Sequence, residues 1–287
     1  MTRLPITKTP KVYVGGAFIR SESARTFPIK DASGAFFANI PQCTRKDLRN
    51  AVEAAAKAGP GWARRTPYNR GQILYRLGEM LEARASEMAA AIALGGSGAA
   101  AAREVAASVD RLIYYAGWAD KYEQVLGSVN PVSAPYFNFT VAEPMGIVGV
   151  IAPAEAPLLG LLSLVAPAIT GGNTVVALAS EDRPHPAILL GEMLATSDLP
   201  GGVVNLLTGF RRELIPTFAT HAHLRAISAV ADAGERKMLA LGAVESVKRT
   251  HFMKAEEKQD WFSDAAQSLY AIRDFLEFKT TWHPIGA

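Results

Sequence analysis

A single carboxylate stands at the end of an apolar segment, where a strand of an α/β protein would present its chemistry. Residues 146–152 are apolar and rich in β-branched side chains, a pattern typical of a strand buried on both faces. The chain then reads Pro-Ala-Glu-Ala-Pro over 153–157, with Glu155 in the middle. Glu155 is therefore a candidate acid or base. That role needs a partner group and a bound substrate, which the sequence does not provide, so a solvated or salt-bridged carboxylate is the favoured interpretation.

The other candidates for chemistry are one thiol and five imidazoles. Cys43 lies between a predicted strand and a predicted helix with no histidine nearby in the sequence, so we expect a structural thiol. His221 and His223 have a metal-binding spacing only if they lie on a strand, and no ligand cluster accompanies them, so we predict no metal site. The Gly-Gly-Ser-Gly sequence at 95–98 follows a helix and lacks a lysine, which favours a flexible break over a phosphate loop.

Composition narrows the class of protein. The 287 residues carry a net charge of +3, and no basic stripe with interleaved aromatics indicates a nucleic-acid partner. The single cysteine excludes an intramolecular disulfide framework. We see no signal-peptide core at the N-terminus and no apolar run of membrane-spanning length, so we expect a cytoplasmic protein without a membrane partner.

The first part of the chain is predicted to be mostly helical, behind two short strand pairs. The first pair lies over 12–19 around a Gly-Gly turn, and the second over 27–40. Thr44, with Asp47 three residues later, has the pattern of a helix N-terminus. Helices are expected over residues 44–58, 67–94 and from 98 to about 122.

From Gly146 onward, strands and helices alternate, which predicts a parallel sheet with right-handed crossovers. The strands are expected over 147–152, 174–178, 203–207 and 224–229, and the helices over 157–171, 184–197, 211–220 and 234–245. Residues 128–144 contain a strand exposed on one face. A charged helix over 256–273 precedes a terminal strand over 275–282.

Four segments resemble landmarks of the aldehyde dehydrogenase superfamily, in the order and at the spacing of that family. They read EPMGIVGVIAPAEAPL, ITGGNTVVALASE, DLPGGVVNLLTG and FLEFKTTWHP. The resemblance implies an α/β fold: a Rossmann-like parallel-sheet domain with N-terminal helices and a small β oligomerisation arm. It divides the chain into N-terminal strands and helices (1–127), a β-arm (128–144), a cofactor-type core (145–255), a helical connection in place of the catalytic domain (256–273) and an oligomerisation strand (274–287).

The departures from the family pattern predict a loss of catalysis. Glu155 stands where the family has an asparagine that donates a hydrogen bond to the oxyanion, and an ionised carboxylate has no proton to donate. The family's general-base glutamate falls near Met253, and the domain with the nucleophilic cysteine is missing. The resemblance therefore implies an inactive protein with no catalytic residue.

The cofactor site is expected to survive only in part. By resemblance, Ile151, Pro153, Ser180 and Glu181 are the remaining cofactor-binding residues, while the family's lysine is replaced by Leu178. Side chains over 229–233 occupy the place of the loop beneath the pyrophosphate, and Asp232 adds repulsion there. We therefore expect no cofactor, or only weak binding of NAD(P).

The family uses the terminal strand and the arm for contacts between subunits, which suggests a partner. The residues expected at this interface are Phe275, Phe278, Thr280, Trp282, Phe137 and Phe139. An exposed strand with aromatic side chains needs cover, so we expect an active, full-length aldehyde dehydrogenase to supply the acceptor sheet. Two alternatives remain: a sensor that binds NAD(H) in the remnant cleft, and a structural homo-oligomer whose arms pair with each other.

Overall fold

A seven-stranded sheet forms the centre of the protein. The computed structural model describes residues 8–95 and 97–286, so Gly96 of the predicted break lies outside the described residues. The strands are β1 (Val12–Val14), β2 (Ala17–Ile19), β3 (Thr26–Lys30), β4 (Phe36–Pro41), β5 (Tyr136–Pro144), β6 (Ile147–Ile151), β7 (Thr174–Leu178), β8 (Val204–Leu207), β9 (Leu224–Ala231), β10 (Arg249–Lys254) and β11 (Leu276–Pro284).

Helices cover both faces of this sheet. They are α1 (Arg45–Ala63), α2 (Pro67–Ala83), α3 (Ala85–Ala93), α4 (Gly98–Trp118), α5 (Tyr122–Leu126), α6 (Leu159–Thr170), α7 (His185–Leu194), α8 (Arg211–Thr220), α9 (Ala233–Ala243) and α10 (Leu269–Arg273). No helix among these described residues is long and apolar enough to cross a bilayer.

The strand order is β10-β9-β6-β7-β8-β1-β2, and the five strands from β10 to β8 are parallel. This confirms the predicted α/β fold with a parallel sheet. The β1–β2 hairpin extends the sheet in antiparallel fashion beside β8. The chain adds β7 and β8 on one side of β6 and then returns to add β9 and β10 on the other side. The strand order therefore reverses between β6 and β9.

Alternate side chains of β6 show why the sheet is covered on both faces. Val148 and Val150 pack into a core that includes residues of α2, α3, α4, α6 and α7. Ile147 and Ile151 pack on the opposite face against residues of α1, α8 and α9. The uninterrupted apolar sequence of β6 thus serves two cores at once, as expected for a central parallel strand.

The N-terminal helices follow the predicted pattern with two departures, one of which is that the helix expected from 98 to about 122 ends at Trp118. Thr44 and Asp47 form a capping box at the start of α1, as predicted. The single helix expected over 67–94 is wrong, because it divides into α2 and α3 at Arg84. The guanidinium of Arg84 pairs with Glu192 on α7 at 2.6 Å, which holds this turn against the neighbouring helix.

The predicted helix over 256–273 is wrong for most of its length. Only a short 3-10 turn (Asp264–Ala266) and α10 are helical there. The physical reason is local, since three polar side chains accept hydrogen bonds from backbone N–H groups two residues later. These acceptors are Asp260, Ser263 and Ser268. Residues 256–268, named here the connection segment, are therefore mostly irregular.

Arg111 of α4 attaches the connection segment to the body of the protein. The residue is 3% exposed. Its guanidinium donates to the carbonyl oxygens of Trp261 at 2.9 Å and Ala266 at 2.8 Å, and to the side-chain oxygen of Gln267 at 3.1 Å. It also donates to the hydroxyl of Ser163 on α6. One arginine thus joins two helices to a segment that has little secondary structure of its own.

The last strand, β11, pairs with β5 of the same chain. β11 and β5 are antiparallel along their whole length, from Leu276 opposite Pro144 to Pro284 opposite Tyr136. The two strands form a separate two-stranded sheet, defined here as the arm. Such a sheet is marginal in water unless something covers it.

Candidate functional site

The candidate site is the crevice between the carboxyl ends of β6 and β9. Open α/β sheets bind ligands at the point where the strand order reverses, which here is this crevice. The helices α6, α8 and α9 follow β6, β8 and β9 and begin at the same edge. Free N–H groups at the start of a helix attract anions such as a pyrophosphate. The chemistry of the crevice therefore depends on what these helix starts already bind.

The starts of α6 and α8 already bind carboxylates of the same chain. Glu104 of α4 is 6% exposed, and its Oε1 accepts hydrogen bonds from the N–H groups of Leu158 at 2.8 Å and Leu159 at 3.1 Å. Glu181 accepts a hydrogen bond from the N–H of Arg211, the first residue of α8, at 2.7 Å. Neither helix start leaves these N–H groups free for a ligand.

The start of α9 is occupied in the same way. Asp232 forms a capping box with Glu235, in which the N–H of Glu235 donates to Asp232 at 2.8 Å. Glu256 of the connection segment accepts from the N–H of Ala233 at 3.0 Å. The carboxylate of Asp232 therefore does more than repel an anion, the effect predicted from the sequence. It accepts a hydrogen bond from an N–H group at the start of α9 to which an anion would otherwise bind.

Arg211 fills the crevice between the two strands. Its guanidinium donates to the carbonyl oxygen of Ala152, just after β6, at 3.0 Å and to that of Val230 on β9 at 2.7 Å. It also forms a two-pronged ion pair with Glu235 at 2.6 and 2.8 Å. The arginine consequently ties β6 to β9 and neutralises the carboxylate beside it. As arranged here, the crevice does not fit a pyrophosphate.

The four residues expected to bind a cofactor have other contacts in the fold. The side chain of Ile151 is fully buried in the core, and Pro153 packs against Gly160 of α6. Ser180 is 2% exposed and accepts a hydrogen bond from the N–H of Arg183 at 3.3 Å. Glu181 caps α8, as described above. The structure brings these four residues to the same edge of the sheet, where the polar side chains of Ser180 and Glu181 already bind other groups of the protein.

Glu155 lies on the surface at the rim of a cavity of about 560 Å³. Arg103 of α4 and Lys258 of the connection segment line the same cavity. The loop that carries Glu155 is held by Arg183, which donates to the carbonyl oxygen of Ala154 at 2.7 Å. The exposure of Glu155 agrees with the interpretation of a solvated carboxylate beside basic residues.

Cys43 is fully buried against the sheet, in the core that includes residues of α1 and α8. Burial raises the pKa of its thiol to about 12. A cysteine nucleophile acts as the thiolate, which a thiol with so high a pKa does not form near neutral pH. The structure therefore places the thiol where it packs as a small apolar side chain.

We predict that Cys43 does not react with a thiol reagent in the folded protein at pH 8. Its burial and raised pKa both suppress the thiolate, so the disulfide reagent DTNB should label one thiol per chain only after unfolding in guanidinium chloride. A matched Ala35→Cys variant, with its new thiol on an exposed residue, should gain one rapidly labelled thiol. Rapid labelling of the parent protein would contradict the buried placement.

The residues predicted for the interface divide into two groups. Phe275 is not on the exposed arm as predicted: it is 3% exposed and packs in the main core beside His251. The correction follows from its position, since it precedes the first residue of β11 and lies where the chain leaves the body. The other five lie on the arm: Phe137, Phe278, Thr280 and Trp282 are exposed and Phe139 is half-buried.

The histidines do not gather into a metal site. His221 and His223 lie in the turn before β9, and burial lowers the pKa of His221. Within residues 8–95 and 97–286, no group of three or more metal-binding side chains comes together.

Sequence reasoning missed the residues that occupy the crevice and hold the connection segment. Glu104 and Arg111 are charged residues seven positions apart on one face of an alanine-rich helix, and both are buried. Two charges on an apolar face are a signal that can be found in the sequence, because such charges need buried partners. Arg211 and Glu235 carry no comparable signal, since each looks like an ordinary residue in the first turn of a helix.

Comparison with known proteins gives one consistent result. The profile of the aldehyde dehydrogenase family matches residues 18–253. The putative aldehyde dehydrogenase DhaS of Bacillus subtilis is 30% identical over 84% of this chain and 49% of that protein. Retinal dehydrogenase 2 of Mus musculus is 34% identical over 75% of this chain and 42% of that protein.

Solved structures agree with this match. HpcC of Thermus thermophilus superposes with a TM-score of 0.82 at 29% identity, over 86% of this chain and 48% of that chain. The NAD⁺ complex of an aldehyde dehydrogenase from Bacillus cereus gives a TM-score of 0.81 at 26% identity, over 85% and 50% of the two chains. The chain spans about half the length of the curated relatives that it matches.

Proposed function

Since this chain belongs to the aldehyde dehydrogenase family, we propose that it is a catalytically inactive cytoplasmic subunit. It assembles with an active NAD(P)-dependent aldehyde dehydrogenase and stabilises or regulates that enzyme. The observation that carries the proposal is the occupied crevice, in which Arg211 and Glu235 lie where a ligand would bind. We therefore propose that the chain binds no dinucleotide.

Two side chains support the loss of aldehyde oxidation. Cys43, the only cysteine in the chain, is buried with its thiol pKa raised to about 12, so it does not serve as a nucleophile. Glu155 stands at the end of β6, where an ionised carboxylate would repel a developing oxyanion instead of donating a hydrogen bond to it.

The arm supports assembly with a partner. Phe137 is 45% exposed, Phe278 41% and Trp282 57%, all on a sheet of two strands. Ser128 bridges to Thr140 at the outer edge of β5, whereas the outer edge of β11 pairs with no other described strand. A free edge with exposed aromatic side chains is suited to pairing with another sheet, where backbone hydrogen bonds and aromatic contacts act together. The two strands pair with each other along their inner edges, so a partner strand would add at the outer edge of β11.

Assays of activity and of dinucleotide binding with the purified chain test the proposed lack of catalysis and of cofactor binding. We expect no reduction of NAD⁺ or NADP⁺ with short aliphatic or aromatic aldehydes, and no heat of binding for either dinucleotide in calorimetry. Measurable turnover that Glu155→Ala abolishes would overturn the proposal. Tight binding of NAD(H) without turnover would instead favour the sensor function.

Affinity capture and light scattering test the proposed assembly with an active enzyme. We expect affinity capture from the cells of origin to recover a complete aldehyde dehydrogenase, and light scattering of the purified pair to show a mixed oligomer. A Phe278→Ser/Trp282→Ser variant should lose the complex, whereas Tyr68→Ser, which changes an exposed aromatic residue on α2, should keep it. A homo-oligomer that stays unchanged when the enzyme is added would favour the structural role and contradict the proposal.

A further inference from the structure

A second cavity lies on the other side of the connection segment from the cavity beside Glu155. It has a volume of about 520 Å³ and lies between α6, the β9–β10 end of the sheet and α10. Gln259, Asp260 and Trp261 form a wall that both cavities share. A volume of this size suits a small organic ligand. Neither the crevice nor the arm includes this cavity.

We propose that this cavity binds a small aromatic amine in its protonated form. The inference does not depend on the proposed assembly with an active enzyme, because it rests on the cavity's own charges, aromatic walls and polar groups.

The charges that line the cavity favour a cation. Asp260 and Asp274 are carboxylates, and no lysine or arginine is among the lining residues. Burial lowers the pKa of His251, which therefore stays neutral near neutral pH and adds no positive charge. A cation that enters the cavity thus meets two carboxylates and an uncharged imidazole.

Neighbouring arginines do not cancel this charge. The guanidinium of Arg111 directs its donors to carbonyl and side-chain oxygens of the connection segment and to Ser163. Arg273 approaches Asp274 only at 4.0 Å, and its side chain is 50% exposed, so solvent screens that pair. Arg249 donates to the backbone carbonyl oxygen of Asp274 at 3.1 Å and not to its carboxylate. The carboxylate lies 3.5 Å from Nδ1 of His251, and because that imidazole is neutral, the negative charge of Asp274 remains for an ammonium group.

The remaining walls supply an aromatic surface and a polar anchor. Trp261 is 5% exposed and Phe275 3% exposed, and both line the cavity, which suits an aromatic ring or the face of a cation. Ser228 on β9 lies directly opposite His251 on β10 and is 3% exposed. Ser228 lines the cavity, so its hydroxyl can bind a polar group of the ligand.

Calorimetry with three probes of similar shape tests the proposal: tryptamine (a cation), tryptophol (neutral) and indole-3-acetate (an anion). We expect tryptamine to bind at least about tenfold more tightly than indole-3-acetate, with tryptophol between them, because the carboxylates favour the cation. Equal or tighter binding of the anion would overturn the proposal, and so would the absence of binding for all three probes.

Variants locate the binding. Asp274→Asn should weaken tryptamine binding by about tenfold, whereas Asp110→Asn on the exposed face of α4 should leave it unchanged. Ala271→Phe, which places a ring in the cavity without changing its charge, should abolish binding of every probe. Tryptamine binding that survives both Asp274→Asn and Ala271→Phe would overturn the proposal even if one of the two variants were unstable.

Discussion

Replacement of Arg111 by methionine is expected to lower the free energy of unfolding by about 3 kcal/mol. The arginine donates to the carbonyl oxygens of Trp261 and Ala266, to Gln267 and to Ser163. Each buried acceptor that loses its donor costs about 1–3 kcal/mol. The total is less than the sum, because the variant also removes a buried charge: burial lowers the pKa of the Arg111 guanidinium, which shows that its environment disfavours the charged form.

The effect of this substitution should concentrate in the connection segment. Arg111 is the side chain that joins the carbonyl oxygens of this segment to α4, so its loss should expose nearby basic residues to trypsin. Cleavage after Lys254 and Lys258 is expected to be at least about tenfold faster than in the parent protein. Urea unfolding measures the stability, and mass spectrometry of short digests identifies the cleaved bonds.

Arg103 provides the matched control. It lies on the same helix, and its guanidinium stacks on the ring of Phe262 at 4.4 Å, but it is exposed. Arg103→Met should therefore cost no more than about 1 kcal/mol. If Arg111→Met lost stability without faster cleavage between 254 and 268, the connection segment would be held by other contacts and this account of it would fail.

The central strands β6, β7, β8 and β9 were predictable because they are mostly apolar. Thr174–Leu178 matches its predicted bounds, and β6 and β9 differ from theirs by one or two residues. β10 was missed because its sequence, Arg-Thr-His-Phe-Met-Lys, mixes charged and apolar residues at an edge where every residue is at most half-buried. An edge strand is specified by its neighbour, here β9, more than by its own sequence.

The candidate site was predictable from the sequence to a smaller extent than the sheet. The sequence identifies the edge of the sheet and the position of Glu155, since both depend on the order of strands and helices. It does not reveal that Arg211 turns into the crevice or that Glu104 reaches the start of α6, since these contacts join residues 59 and 54 positions apart. Long-range polar contacts of this kind depend on the packed geometry, which no local pattern encodes.

Replacement of Glu104 by alanine is the second change with a large expected effect, about 3 kcal/mol of unfolding free energy. The carboxylate accepts two hydrogen bonds from N–H groups at the start of α6. The donors belong to Leu158 and Leu159, both 0% exposed, so water does not readily replace the lost acceptor. The variant also removes a negative charge from the positive end of the helix.

Replacement of Glu104 by glutamine separates the contribution of the hydrogen bonds from that of the negative charge. Glu104→Gln keeps a carbonyl oxygen that can accept the same hydrogen bonds and removes only the charge, so we expect a loss of about 1 kcal/mol. Glu82→Ala on the exposed face of α2 is the control and should change stability by less than about 0.5 kcal/mol. Denaturant titrations of the three variants beside the parent protein give these differences directly.

The relative losses of stability in these variants also show whether the crevice is open to solvent at the start of α6. A large loss for alanine and a small loss for glutamine would mean that the start of α6 needs an acceptor supplied by the chain itself. That outcome is expected if the helix start is closed to an external anion, because an accessible start would bind water or a buffer anion in place of Glu104. Equal, small losses for both variants would instead mean that solvent reaches these N–H groups. The crevice would then be open at α6, and only Arg211 and the capped starts of α8 and α9 would disfavour a pyrophosphate there.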